Sequence, residues 1–185
     1  VNLMSAGYSW RTLLNNLIRH IGKSDAVRFK NEKPFTLLYQ EILIRSKRYT
    51  SFTEKELKQK IKNELEKISH NEIHKKYMEL GFRNILTTKY DYNLEKSVTS
   101  KFESANMLRE TKFNLFRRTK ANNSCIWHIH GEMNKLNSIT LGYDHYVSYL
   151  SEMYKYVSST TTTRKKNVRF AFEVHGSNFD ITGEP

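Results

Sequence analysis

The sequence predicts an α/β fold, a mainly parallel sheet carrying a helical insertion, on three observations. Apolar residues in the first eighty positions recur at helical spacing, the period shortens to that of strands after Gly81, and helical spacing returns after Gly142. Two of the strand-like runs, Ile85-Leu86-Thr87-Thr88-Lys89-Tyr90-Asp91 and Cys125-Ile126-Trp127-His128-Ile129-His130-Gly131, are short, apolar and β-branched, and stop abruptly in polar residues. A buried parallel strand has this form where it delivers side chains into a ligand crevice.

The elements follow in order. Trp10, Leu13, Leu14, Leu17, Ile18 and Ile21 form one apolar helical face, with Gly22 placed to end it. Pro34 suits the first turn of a second helix, whose stripe is Phe35, Leu38 and Ile42 up to about Arg48. Thr53 and Glu56 have capping-box spacing and open a third helix with Leu57, Ile61, Leu65 and Ile68 inside. Ile73, Tyr77 and Leu80 mark a short fourth helix ending at Gly81, so a helical region of about 8–80 precedes the first strand end. Strands are predicted over 84–88, 124–129 and 138–141, a helix over 143–157 through Tyr146, Val147, Leu150 and Tyr154, and a further strand over 167–174. The Ser/Thr run 158–163 reads as a surface loop.

Composition narrows the function classes. At 185 residues and 38% hydrophobic content, the chain can build one cored domain over 1–185. It opens on Val1 and closes on Gly183-Glu184-Pro185, which reads as a piece of something longer, incomplete at both ends. No apolar run approaches the roughly 20 residues needed to span a bilayer, and no signal-peptide profile is present, so the expectation is a cytoplasmic protein without membrane partners. Cys125 is the single cysteine, which excludes an internal disulfide and a four-cysteine zinc site. A net charge of +12 invites a nucleic-acid partner. Between Thr53 and Lys76, however, Lys and Glu alternate, and Glu54/Lys58 and Glu56/Lys60 have the i,i+4 order of a solvated helix face. Arg117-Arg118 and Arg164-Lys165-Lys166 are the better anion-contact candidates.

The order Ile85-Leu86-Thr87-Thr88-Lys89-Tyr90-Asp91, His128-Ile129-His130-Gly131-Glu132 and Ile139-Thr140-Leu141-Gly142-Tyr143-Asp144-His145-Tyr146 resembles the signature of the sirtuin-like (silent information regulator type) domain of bacterial anti-phage defence proteins. In that family a strand ends in Thr-Thr-Asn-Tyr-Asp, a later strand ends in His-Gly, and a Leu-Gly-x-x-x-Tyr segment follows. Its glycine loop would lie just upstream, with Val1-Asn2 at its end and Trp10 opening the next helix; a second alignment sets Ser5-Ala6-Gly7-Tyr8-Ser9 on that loop.

The resemblance implies a Rossmann-like sheet and an NAD glycohydrolase that cleaves the nicotinamide–ribose bond, with NAD as substrate and no metal. It also implies assembly as a homo-oligomer and a sensor domain or partner protein. Such a reaction passes through an oxocarbenium-like state, so the site must orient ribose, shield a cation and manage a proton. His130 takes the place of the family's catalytic histidine, a residue whose ordinary pKa suits a general base. Asp91 would hold the nicotinamide end, and Asn2, Thr88, Tyr90, Gly131 and Gly142 would contact the dinucleotide. Lys89 stands where the family has Asn. Lysine offers only donors and adds positive charge beside a developing cation. This departure supports a second reading, a silent NAD- or ADP-ribose-binding regulatory module, unless Asn93 supplies the amide. The basic charge supports a third, a nucleic-acid-associated module. A single cysteine favours NAD hydrolysis over zinc-dependent lysine deacylation.

Blander readings stand beside these. By the period of two, His128 shares a strand face with His130 and is read as supporting it rather than as a metal partner. Trp127 reads as core, Cys125 as a buried inert thiol, and Tyr143 and Tyr146 equally as pocket lining or packing. His70 and His74 share a helical face without a protease zinc motif and read as surface residues.

Overall fold

The computed structural model describes residues 8–22, 27, 29–104 and 117–157. Helices α1 (Trp10–His20), α2 (Phe35–Tyr49) and α3 (Glu54–Leu65) pack around one core. Each starts where local chemistry allows. The Ser9 hydroxyl accepts the Thr12 amide at 3.1 Å, Pro34 is the cap residue before α2 rather than its first turn, and Thr53 and Glu56 close a reciprocal capping box. Gly22 follows α1 at φ +66°, left-handed backbone that suits glycine. Leu13, Leu14, Leu17, Ile18, Leu38, Ile42, Leu57 and Ile61 are almost wholly buried, each worth about 1.5–3 kcal/mol relative to exposure.

After α4 (Glu72–Glu79), a sheet is built from β1 (Asn84–Thr87), β2 (Glu103–Ser104), β3 (Arg118–Ala121) and β4 (Ser124–His128) in the order β1-β4-β3-β2, with α5 (Asn93–Lys96) between β1 and β2. The expectation of a mainly parallel sheet is corrected among the described residues. Only β1 and β4 run parallel, with Thr87 opposite His128, while β2·β3 and β3·β4 are antiparallel. The reason is local: Asn122-Asn123 turns the chain tightly, with Asn122 at φ +52°, so β3 and β4 form a hairpin instead of being joined by a crossover.

One sheet face is covered by α4 and α5, where Met78, Ile85, Ala121 and Ile126 make a second small core with Leu94, Val98 and Phe102. On the other face Leu86 is exposed, while Trp127 is buried, with its indole N–H donating to Asn84 at 3.1 Å and the Arg118 guanidinium over its ring.

Two further expectations change. Residues 138–141 do not join the sheet: Leu136–Ser138 is a 3₁₀ turn, and the chain then runs extended into α6 (Tyr143–Val157). The inner face of α6 carries Tyr146 and Tyr149, while Val147, Leu150 and Tyr154 are exposed. The strand expected at 167–174, the loop at 158–163, the 164–166 cluster and Asn2 lie outside the described residues. No helix among those described is long and apolar enough to cross a membrane.

Candidate functional site

The carboxyl ends of β1 and β4 release two turns side by side. Ile129 donates its amide to the Thr87 carbonyl at 3.1 Å and Met133 donates to Tyr90 at 2.9 Å, so the Lys89–Asp91 turn and the segment after His130 are stitched together by backbone. This is the end of a parallel pair where side chains can meet a ligand.

The Lys89–Asp91 turn lines a cleft of about 260 Å³ with Tyr8, Trp10, Phe35 and Leu65. Trp10 meets Tyr90 edge-on at 5.7 Å, and the Lys89 ammonium lies 5.8 Å from the Trp10 ring centroid. The cleft is smaller than the roughly 300–1,000 Å³ usual for drug-sized ligands, and so suits one end of a dinucleotide rather than its whole length. Aromatic walls with one cation and one carboxylate suit a planar heterocycle. Asp91 is buried at 7% exposure, and its carboxylate accepts the Asn93 amide at 3.1 Å, which shapes the turn into α5. Asp91 and Lys89 also border a second cleft of about 160 Å³ with His74 and Leu86.

His130 lies on the neighbouring turn. Its imidazole packs edge-on against Tyr146 at 5.1 Å and Tyr149 at 5.9 Å, with Nδ1 3.2 Å from the Tyr146 hydroxyl. It lines neither of these two clefts. The link between the two turns runs through Thr140, whose amide donates to the His130 carbonyl at 2.9 Å and whose carbonyl accepts the Tyr90 hydroxyl at 2.6 Å. Burial holds the His130 pKa below its ordinary value, so its ring is neutral at neutral pH. Burial also raises Tyr146, which stays a phenol. For Nε2 to accept a proton as a base, Nδ1–H must donate to the Tyr146 oxygen.

Backbone packing requires glycine at 131, whereas at 142 a side chain would meet mainly the movable end of Gln40. A Cβ on Gly131, at φ +98°, would lie 2.1 Å from the Ser138 carbonyl oxygen, and one on Gly142 would lie 2.7 Å from the Gln40 side chain. Thr88 is exposed, and Tyr90 is buried beneath the cleft. The shared strand face of His128 and His130 does not occur. Gly131 donates to the His128 carbonyl at 3.1 Å, so the strand has already become a turn, and the two rings part. His128 points instead to Glu95 on α5, which sequence reasoning did not single out; a glutamate in Asn93-Leu94-Glu95-Lys96 looks solvated until the sheet is packed on it.

Other charged residues also sit differently. Arg117 is buried and Lys58 is 3% exposed against Glu54, so neither offers a surface cation. His74 is buried too, its ring accepting the Asn71 amide at 3.1 Å. Among the described residues no group of His, Cys, Asp or Glu could hold a metal ion.

Residues 83–173 match the family model described as a SIR2-like domain, a stretch holding β1, β4, the Lys89–Asp91 turn and His130-Gly131. No curated protein and no solved structure gives a match. The family match supports a sirtuin-like, NAD-related function.

Proposed function

We propose that this chain is an NAD glycohydrolase acting in anti-phage defence, in which His130 is the general base for cleavage of the nicotinamide–ribose bond. The observation that carries this reading is the pairing of two turns at one end of β1 and β4, one presenting Lys89 and Asp91 to an aromatic cleft and the other presenting a neutral, half-buried His130. In this reading the nicotinamide end lies against Trp10 and Asp91. Thr88, Tyr90, Gly131 and Gly142 frame the dinucleotide, and the ribose reaches toward His130. The protein works as a homo-oligomer with a sensor domain or partner in the cytoplasm.

The rival is a silent NAD- or ADP-ribose-binding module, and Lys89 favours it. Its ammonium lies over Trp10 at the cleft, where a positive charge opposes an oxocarbenium-like transition state. Turnover separates the two readings. Nicotinamide release by the full chain, measured by mass spectrometry, is expected to vanish in His130→Ala and to hold or rise in Lys89→Asn. Heat of NAD binding without nicotinamide release in the unmodified protein establishes the silent module, and undiminished cleavage by His130→Ala removes His130 as the base.

A further inference from the structure

His128 is 1% exposed, and both of its ring nitrogens face acceptors. Nδ1 lies 3.0 Å from the Lys89 carbonyl oxygen and Nε2 lies 2.8 Å from Oε1 of Glu95, itself fully buried. A neutral imidazole carries one N–H and could serve only one of these oxygens, whereas an imidazolium serves both. The Thr119 hydroxyl donates to the same Glu95 oxygen, so that oxygen is held from both β3 and β4. The His128 ring thereby ties four elements together: β4, α5 through Glu95, β3 through Thr119 bonded to Glu95, and the backbone of the turn that carries Lys89 and Asp91.

We infer that His128 is a positioning residue, whose doubly protonated ring clamps the Lys89–Asp91 turn against the cleft and releases it when one proton is lost. The ligand half of this inference rests on the NAD-binding reading above; the clamp itself does not. The groups facing His128 from each neighbouring element are consistent with it. Glu95 on α5 and Glu132 after β4 are acidic. Tyr92 meets the ring edge-on at 5.4 Å, and burial raises its pKa, so it remains a neutral phenol bonded to Glu132. Arg117, before β3, meets the residue through its backbone, its carbonyl accepting the His128 amide at 2.9 Å. Lys89 turns its carbonyl to the ring. Burial alone would lower the His128 pKa, but hydrogen bonding and attraction from Glu95 outweigh it, and the pKa is raised. The clamp is therefore complete below the ordinary histidine pKa of about 6.5 and lost as pH rises through the raised value.

The test begins with the unmodified protein and no ligand. Nitrogen NMR of the His128 ring is expected to show both nitrogens protonated at pH 6.5, and the Tyr90 amide, which follows the clamped carbonyl, is expected to shift with the same midpoint as the ring. A single-proton ring at pH 6.5, or a Tyr90 amide indifferent to the ring's titration, overturns the inference. Glu95→Gln keeps the contact without the charge, and is expected to lower the His128 midpoint by at least tenfold in proton concentration; an unchanged midpoint also overturns it. With NAD as the probe, calorimetric affinity is expected to fall about tenfold across the His128 titration and to lose that pH dependence in His128→Gln. If NAD fails to bind at any pH while the ring and the Tyr90 amide titrate together, the functional reading fails and the clamp stands.

Discussion

The helical half of this molecule and the rim of its sheet are both buried, but with opposite chemistry. Around α1–α3 the interior is mainly leucine and isoleucine, with Tyr39 among them and Lys58 and Glu64 as its buried charges, while others pair nearer the surface, such as Arg45 with Glu41 at 2.8 Å. At the rim, Asp91, Asn93, Glu95, Thr119, His128 and Glu132 are all buried within about forty residues of chain. Taking such groups out of water costs several kcal/mol per ion unless partners compensate, so this interior depends on how fully its members pair with one another. Glu95 Oε2 and Asn93 Nδ2 lack a hydrogen-bond partner, so even this network is incompletely satisfied. The contrast suggests that the helices supply stability and the rim supplies chemistry.

Substitutions can break or sharpen that division. The largest expected effect is at the rim: His130→Ala lowers nicotinamide release by about 10²–10⁴-fold, the range general-base catalysis contributes, with little change in melting temperature. A comparable loss of thermal stability in that variant would erase the division. Next, Leu17→Ala leaves a cavity in the helical core and costs about 2–5 kcal/mol of stability by denaturant titration, while turnover per folded molecule is unchanged. Gly131→Ala tests the seam between the regions. Its methyl would meet the Ser138 backbone at left-handed φ, so a loss of about 2–3 kcal/mol is expected together with lower turnover, read in parallel by melting and by product formation. The smallest effect is Thr53→Ala, which removes the α3 cap and costs about 1 kcal/mol with turnover intact.

Much of the helical half was legible in the sequence, and less of the rim was. The stripes of α1–α3 and the Thr53–Glu56 box depend on neighbours three and four positions away, which a linear reading contains. The 84–87 and 124–128 strands were legible from their apolar runs, but their company was not, because the hairpin of β3 with β4 turns on Asn122 adopting left-handed backbone. On α6 the helical spacing was right, but of the residues that marked it only Tyr146 turns inward, beside Tyr149; Val147 and Leu150 are as hydrophobic as an inward stripe would be, and only packing shows that they and Tyr154 face outward. His128 shows the same limit in the site. Its alternation with His130 held along the strand but not past it, because the chain turns directly after His128.

By itself the sequence determined where the longer helices lie, that α3 opens on a capping box, which two strand runs stop in polar residues and that a SIR2-like pattern runs through them, since each is written in local spacing. Only the tertiary structure decided the direction of the strands, the separate surroundings of Asp91 and His130, and the burial of Glu95 against His128. Those depend on which distant segments desolvate one another, and the cost of removing a charge from water is set by neighbours that linear order does not name.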